Sequence, residues 1–416
     1  MDHHPIKRAL PQTELDALRA GLTTVAVTGT NGKTTTTSMV AAIAAAAGEL
    51  PVRVTTLGMW VGDEQTADDG SMASFVRTVK RARVLGARTL ALEVTSRALA
   101  AGFAERWPAD IAVFTNLSHD HLDRHGSPEA YLAAKAQLFA GPRPPRQAIL
   151  NTGDAASALI AEVMPAHVQG RGFSPVGAPE QASLPVTLAS RAATPAGFGT
   201  RVSLAPSPLA DALQGELTLA IAGDFNADNA LAAAVAAHAA GLDPRAIAAG
   251  LRTFEGVPGR FEVLCRSPMC VVDFAHSPDA LARSLAAARN LVAARDGRVA
   301  CVFGCGGERD VHKRPHMGRV ADRLADAVWI TTDNPRSEAP AAIAAMVLAG
   351  IGGQPLGQAS WSDVPDRAQA IRDAVAWARP QDAVVVAGRG HEAFQQLESG
   401  PRPLSDRQLV LTAVRR

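Results

Sequence analysis

A chain of 416 residues exceeds what one hydrophobic core usually holds and suits two or three domains. Its 41 basic and 40 acidic residues nearly cancel, so no charge excess marks a nucleic-acid or membrane-surface partner, and anionic ligands must be held by local sites. The apolar runs Ala41–Ala47 and Ala230–Ala240 are too short to span a bilayer, Met1 to Arg8 has no apolar core, and Cys265, Cys270, Cys301 and Cys305 form no CxxC pair. A cytoplasmic protein with free thiols is the expectation.

Short β-branched runs alternate with longer Ala/Leu-rich stretches, the pattern of parallel α/β layers. Strands are predicted at Thr23–Val27, Val52–Thr56, Arg88–Glu93, Ile111–Asn116 and Gln147–Asn151. From Pro165 to Ile221 the texture turns to Gly, Pro, Thr and Val, which reads as a β-rich insertion or edge sheet. Helices follow at Asn226–Ala239 and Pro244–Leu251, and then a linker at Glu255–Gly259. The alternation restarts with strands at Cys270–Phe274, Val299–Phe303, Ala327–Thr332 and Ala383–Ala387. The division expected is a phosphate-loop ATP-binding domain over 1–255 and a Rossmann-like, amino-acid-binding domain over 256–416.

The first strand runs into Thr28-Gly29-Thr30-Asn31-Gly32-Lys33-Thr34-Thr35 and then a helix. Such a loop turns backbone N–H groups toward phosphate oxygens, and the helix N-terminus adds favourable dipole charge. Lys33 would reach the β/γ-phosphates and the Thr34 hydroxyl would ligate Mg²⁺. The strict motif wants Gly where Val27 stands, but the strand–loop–helix context is intact. Glu93 ends an apolar strand, where a carboxylate faces the loop across the C-terminal edge of the sheet. Ser118-His119-Asp120-His121-Leu122-Asp123-Arg124-His125 is too rich in His and Asp for a core, and a zinc site competes with a magnesium site there. Lys135, taken alone, is an ordinary helix lysine.

Together these segments resemble the Mur ligase family, which builds the peptide of bacterial cell-wall precursors. The resemblance runs from about Thr23 to Leu411. It is carried by the phosphate loop, Leu92-Glu93-Val94-Thr95-Ser96, Asn116–Asp123, Ala134-Lys135-Ala136, Asn226–Ala230, Gly256–Glu262, Val272–Ala280, Phe303–Asp310, Asp333-Asn334-Pro335-Arg336 and Gly388-Arg389-Gly390-His391-Glu392. The nearest pattern is that of the members that add meso-diaminopimelate. The resemblance implies an ATP-dependent amide ligase working through an acyl phosphate, with two Mg²⁺ sites. Thr34 and Glu93 would hold one, and Glu93, His121 and a carbamylated Lys135 the other. Gly29, Thr30, Asn31, Gly32, Lys33, Thr34 and Thr35 would cradle the phosphates. Asn226 and Asn229 would meet adenine, Arg260 the phosphates, and Asp273 the ribose, with His276 nearby. Arg309, Asp333, Asn334, Arg336, Gly388 and Glu392 would bind the amino-acid substrate, and Ser96 and Arg97 the carboxylate substrate.

Two departures from the family pattern stand out. Only Met1–Gly21 precede the first strand, which leaves no room for the family's UDP-binding domain. Ala67-Asp68-Asp69-Gly70-Ser71 stands where a Thr-Thr-Pro loop is usual, and Thr95-Ser96-Arg97 where Ser-Ser-His is usual. The expectation is a small carboxylate joined to an amino acid, not a UDP-linked substrate. The alternatives are a truncated cell-wall ligase, helped by a separate UDP-binding or substrate-carrying chain, and a non-catalytic nucleotide-binding scaffold. No nucleic-acid or membrane partner is expected, and the oligomeric state stays open.

Overall fold

The computed structural model describes residues 10–118, 125–177, 184–351 and 359–415. The described chain divides into two compact units, 10–118 with 125–255 and 256–415.

In the first unit eleven strands form one sheet: β1 (Thr23–Thr28), β2 (Val52–Thr55), β3 (Gly58–Val61), β4 (Glu64–Ala67), β5 (Thr89–Glu93), β6 (Ile111–Phe114), β7 (Gln147–Asn151), β8 (Gln169–Ser174), β9 (Val186–Ala196), β10 (Gly199–Leu204) and β11 (Glu216–Leu219). Their order is β11-β10-β9-β8-β7-β6-β1-β5-β2-β3-β4. The centre is parallel: Val27 lies beside Glu93, and Thr28 beside Phe114. β5 and β6 are buried along their whole length, as central strands of a parallel sheet covered on both faces are. The Gly/Thr/Val-rich stretch supplies β8 to β11, the outer strands of the same sheet. The hairpin β3–β4, which the residue pattern does not announce, closes the other edge.

In the second unit six strands, β12 (Glu262–Arg266), β13 (Met269–Asp273), β14 (Val299–Phe303), β15 (Ala327–Ile330), β16 (Ser360–Asp363) and β17 (Ala383–Ala387), run in the order β12-β13-β17-β14-β15-β16. All but β12 are parallel. A small hairpin follows, β18 (Phe394–Leu397) and β19 (Gly400–Pro403). The fold is α/β in both units, and in each the candidate residues gather beyond the C-terminal ends of the parallel strands, where such sheets open a crevice.

Candidate active site

The loop after β1 turns into the helix Lys33–Ala46 at Gly32, which has φ +85°. A Cβ at Gly32 would lie 2.2 Å from Asn229 Oδ1, so both backbone and space demand glycine. The loop after β6 braces this turn: Thr115 Oγ1 donates to Asn31 O at 2.6 Å, Asn31 N to Asn116 Oδ1 at 2.9 Å, and Thr30 N to Asn116 O at 2.8 Å. Lys33 Nζ folds back onto the carbonyls of Gly29 at 3.0 Å and Thr30 at 2.7 Å. Thr34 and Thr35 are buried in the first helical turn.

Glu93, buried at the end of β5, accepts a hydrogen bond from Thr34 Oγ1 at 2.9 Å on Oε2. The same oxygen accepts Thr56 N at 3.1 Å and Thr56 Oγ1 at 3.2 Å. A carboxylate and a hydroxyl side by side at a phosphate loop are hard oxygen donors of the kind Mg²⁺ takes.

Lys135 is no ordinary helix lysine. Its helix, Pro128–Ala140, starts on a Ser127 cap and buries Tyr131, Ala134, Lys135, Leu138 and Phe139, one face at helical spacing. Only 1% of Lys135 is exposed; Nζ donates to Gly29 O at 2.7 Å and sits 4.2 Å from the centre of the Tyr131 ring. Two lysines therefore converge on one loop carbonyl. An ammonium supplies no oxygen ligand, so the donors here fit the first Mg²⁺ site as they stand and the second only with a modified Lys135. His121 lies outside the described residues, as does most of the His/Asp-rich segment, and among the described residues no group of three His, Cys, Asp or Glu could hold a metal.

Asn226 and Asn229 face one way from the helix Asp224–Ala239, both buried. Asn229 Oδ1 accepts Thr36 Oγ1 at 3.2 Å, which ties this helix to the phosphate-loop helix, and Asn226 Nδ2 donates to Ala222 O at 2.7 Å. Ser96 is buried, with Oγ 3.0 Å from His125 Nε2, whereas Arg97 beside it is exposed. Asp68 and Asp69 are exposed before the helix Met72–Val84. Asp69 accepts Ser71 N at 2.9 Å, a bond that holds its carboxyl below the usual range and makes it a fixed anion at a helix start.

In the second unit Arg260 lies over the Phe274 ring at 4.4 Å, with His276 and His391 against the same ring. Asp273, expected at the ribose, is half-buried: Phe261 N donates to Oδ1 at 3.1 Å and the Ser284 hydroxyl to Oδ2. Burial pushes its carboxyl up, opposed by those bonds. In this structure Asp273 thus fastens the linker segment to the second sheet.

The turns after β14, β15 and β17 bring the remaining candidates together. Asn334 Nδ2 donates to Glu392 Oε2 at 2.7 Å, and Asn334 Oδ1 accepts Gln396 N at 2.8 Å. Gly388, with φ +111°, packs where a Cβ would be 2.4 Å from Asp333 Oδ2. Arg336, with φ +54°, donates to Gly307 O at 2.5 Å, and both it and the exposed Arg309 border the backbone at Gly306. Burial raises the carboxyls of Asp333 and Glu392. Residue patterns did not single out Thr56, Thr115 or Asn116 as site residues. Asn116 opens the matched segment Asn116–Asp123, which was the available signal for it, and Thr56 carried none.

A parallel sheet with a lysine-bearing phosphate loop, a hydroxyl–carboxylate pair beside it and a second Rossmann-like unit defines a nucleotide-dependent α/β protein of the phosphate-loop class. Residues 27–237 match the Mur ligase middle domain, and residues 259–390 match the Mur ligase glutamate ligase domain. The UDP-N-acetylmuramoyl-L-alanyl-D-glutamate–2,6-diaminopimelate ligase of Synechococcus elongatus is 38% identical over 402 residues, spanning 94% of this chain and 76% of the relative. The enzyme of that name from Pseudomonas aeruginosa is 38% identical over 394 residues, spanning 93% and 76%. A solved structure of a ligase of that name superposes with a TM-score of 0.67 at 29% identity, covering 99% of this chain and 82% of the other. Mycobacterium tuberculosis folylpolyglutamate synthase complexed with ADP shares the fold, with a TM-score of 0.65 at 19% identity, covering 91% and 90%. The chain belongs to the Mur ligase family, and it is an ATP-dependent, ADP-forming ligase. The scaffold alternative falls with that assignment. Among the described residues no helix is long and apolar enough to cross a membrane.

Proposed function

We propose that the chain uses ATP to activate a substrate carboxylate other than a UDP-linked muramoyl dipeptide and couples it to the amine of an amino acid. The observation that carries the phosphoryl-transfer half is the Thr34–Glu93 contact beside Lys33 at the mouth of the phosphate loop. A carboxylate oxygen of the substrate attacks the γ-phosphorus in line, the bond to the β-bridging oxygen breaks, and ADP leaves. Lys33 gives up its loop carbonyls to meet the charge gathering on the transferred phosphoryl group. Magnesium held by Thr34 and Glu93 would neutralise phosphate charge. The substrate amine, having lost its proton, then adds to the acyl carbon, and the tetrahedral adduct expels inorganic phosphate to leave the amide.

Lys135 is proposed to act as its carbamate. That change turns a buried cation into an oxygen ligand, while the remaining N–H on Nζ can still donate to Gly29 O. Asn226, Asn229, Arg260, Asp273 and His276 are proposed for the nucleotide. Arg309, Asp333, Asn334, Arg336, Gly388 and Glu392 are proposed for the amino acid, whose second charged end a guanidinium fork suits.

Arg97 and the Asp68–Asp69 pair support a departure in the acyl substrate. A fixed exposed cation and two exposed carboxylates present a charge pattern unlike the hydroxyls and imidazole usual in the family, and anions placed near an anionic sugar peptide weaken its binding. A second reading, the muramoyl dipeptide itself, is favoured by the 38%-identical relatives, which are ligases named for that substrate. The test crosses a panel of carboxylates, the UDP-linked dipeptide among them, with amino acids, and follows ADP, phosphate and product mass. Turnover on the UDP-linked dipeptide comparable with that of a full cell-wall ligase would establish the second reading. Formation of AMP and pyrophosphate, or full activity in Lys33→Ala, would overturn the acyl-phosphate reaction.

A further inference from the structure

Behind the Asn334–Glu392 contact lies a cluster of charges that the motifs leave without a role. Arg367, fully buried, forks onto Asp406 with two bonds of 2.7 Å. Arg389, also fully buried, donates to Leu404 O at 3.0 Å and lies between two carboxylates: Nη1 is 3.7 Å from Asp406 Oδ1 and Nε 3.6 Å from Glu392 Oε2. Neither Nε nor Nη1 makes a hydrogen bond among the described residues. A buried guanidinium with two unused donor groups stands where a carboxylate can still move onto it.

Glu392 is the member of this cluster that reaches solvent, with 32% of its side chain exposed. Asn334 and Arg389 both contact its Oε2, and no described residue donates to Oε1. The charged groups that bear on it are Asp333 after β15, Asp406 at the start of the last helix, Arg367 and Arg389. Three carboxyl groups therefore face two guanidinium groups. Taking Arg389 away leaves three acids against one cation in a poorly solvated place, which favours a proton on Glu392.

We propose that Arg389 is a positioning residue of the amine site, whose buried guanidinium orients Glu392 and keeps it ionised so that Oε1 receives an ammonium group of the substrate. This rests on the reading of the Asn334–Glu392 face as the amino-acid site.

The test is calorimetric binding of 2,6-diaminopimelate and of L-lysine to the full chain across pH, with ATP binding measured alongside. Glu392 works as a carboxylate, so affinity for a cationic probe rises with pH through its titration. In Arg389→Gln that acid limb moves to higher pH, affinity at neutral pH falls about tenfold, as for a lost charge-assisted bond, and ATP binding is unchanged. Arg389→Lys keeps the limb in place but loses affinity, because one ammonium does not span Glu392 and Asp406 together. In a Glu392→Gln background Arg389→Gln adds nothing. If Arg389→Gln does not fold, the lysine variant decides: unchanged affinity overturns the proposal. Additive losses, an unmoved acid limb, or equal weakening of ATP and amino acid mean a structural arginine and also overturn it. Failure of the unaltered chain to bind either probe sinks the amine-site reading and this proposal with it. Tight binding by that chain, unaffected in Arg389→Gln, sinks this proposal alone.

Discussion

Replacing Glu93 by Gln separates charge from shape at the phosphate loop. Thr34 Oγ1 and Thr56 N both donate to Oε2, while among the described residues Oε1 is approached only by Thr56 Oγ1 at 3.4 Å. An amide with its oxygen in the Oε2 position keeps the two shorter bonds, and its nitrogen can donate to the Thr56 hydroxyl. Stability should therefore change by less than about 1 kcal/mol, the scale of one ordinary hydrogen bond. The reaction loses an anionic ligand where phosphate charge has to be neutralised. A metal's electrostatic contribution of several kcal/mol, cut by about 3 kcal/mol, lowers kcat by about two orders of magnitude. The assay is ADP release against free Mg²⁺, with thermal unfolding run in parallel. Half-saturation by Mg²⁺ should rise and chelation should abolish the residual rate. A variant with kcat within about twofold of the unaltered chain and the same Mg²⁺ dependence would refute the role given to Glu93. Unfolding at a much lower temperature would show that the carboxylate serves the fold.

Other substitutions test the remaining parts. Lys135→Ala should lose most activity and regain part of it with short carboxylic acids, which supply the oxygen ligand; a bare ammonium in a high-resolution map of the metal- and nucleotide-loaded enzyme would refute the carbamate. Arg336→Ala should raise KM for the amino acid far more than for ATP, since a lost ion pair acts on one substrate; equal rises would mark a structural arginine. Asp406→Asn removes the carboxylate that Arg367 forks onto and Arg389 approaches, and should cost about 3–5 kcal/mol, read as a drop in unfolding temperature. An unchanged midpoint would show that the buried pair contributes nothing net.

What the residues alone determine here is local and repetitive. A strand, a Gly-bearing turn and a helix must follow one another where Val25–Val27 meets Gly29–Gly32 and Lys33, because backbone freedom and apolar periodicity act over a few neighbours. The order of ligase motifs is legible for the same reason. The hairpins β3–β4 and β18–β19 escaped because four-residue strands such as Phe394–Leu397 and Gly400–Pro403 carry little pattern of their own and are held by pairing across the turn. Lys135, taken alone, read as an ordinary helix lysine, and only the family resemblance singled it out; its helix packs it against Gly29, 106 residues away. Thr34 meets Glu93 across 59 residues and Thr36 meets Asn229 across 193. Asp273 meets Phe261 across 12 residues and Ser284 across 11, contacts that no residue pattern announces. The cluster of Arg367, Arg389 and Asp406 is decided wholly by folding: only the convergence of two helix starts and a strand end withdraws all three from water and makes each depend on the others.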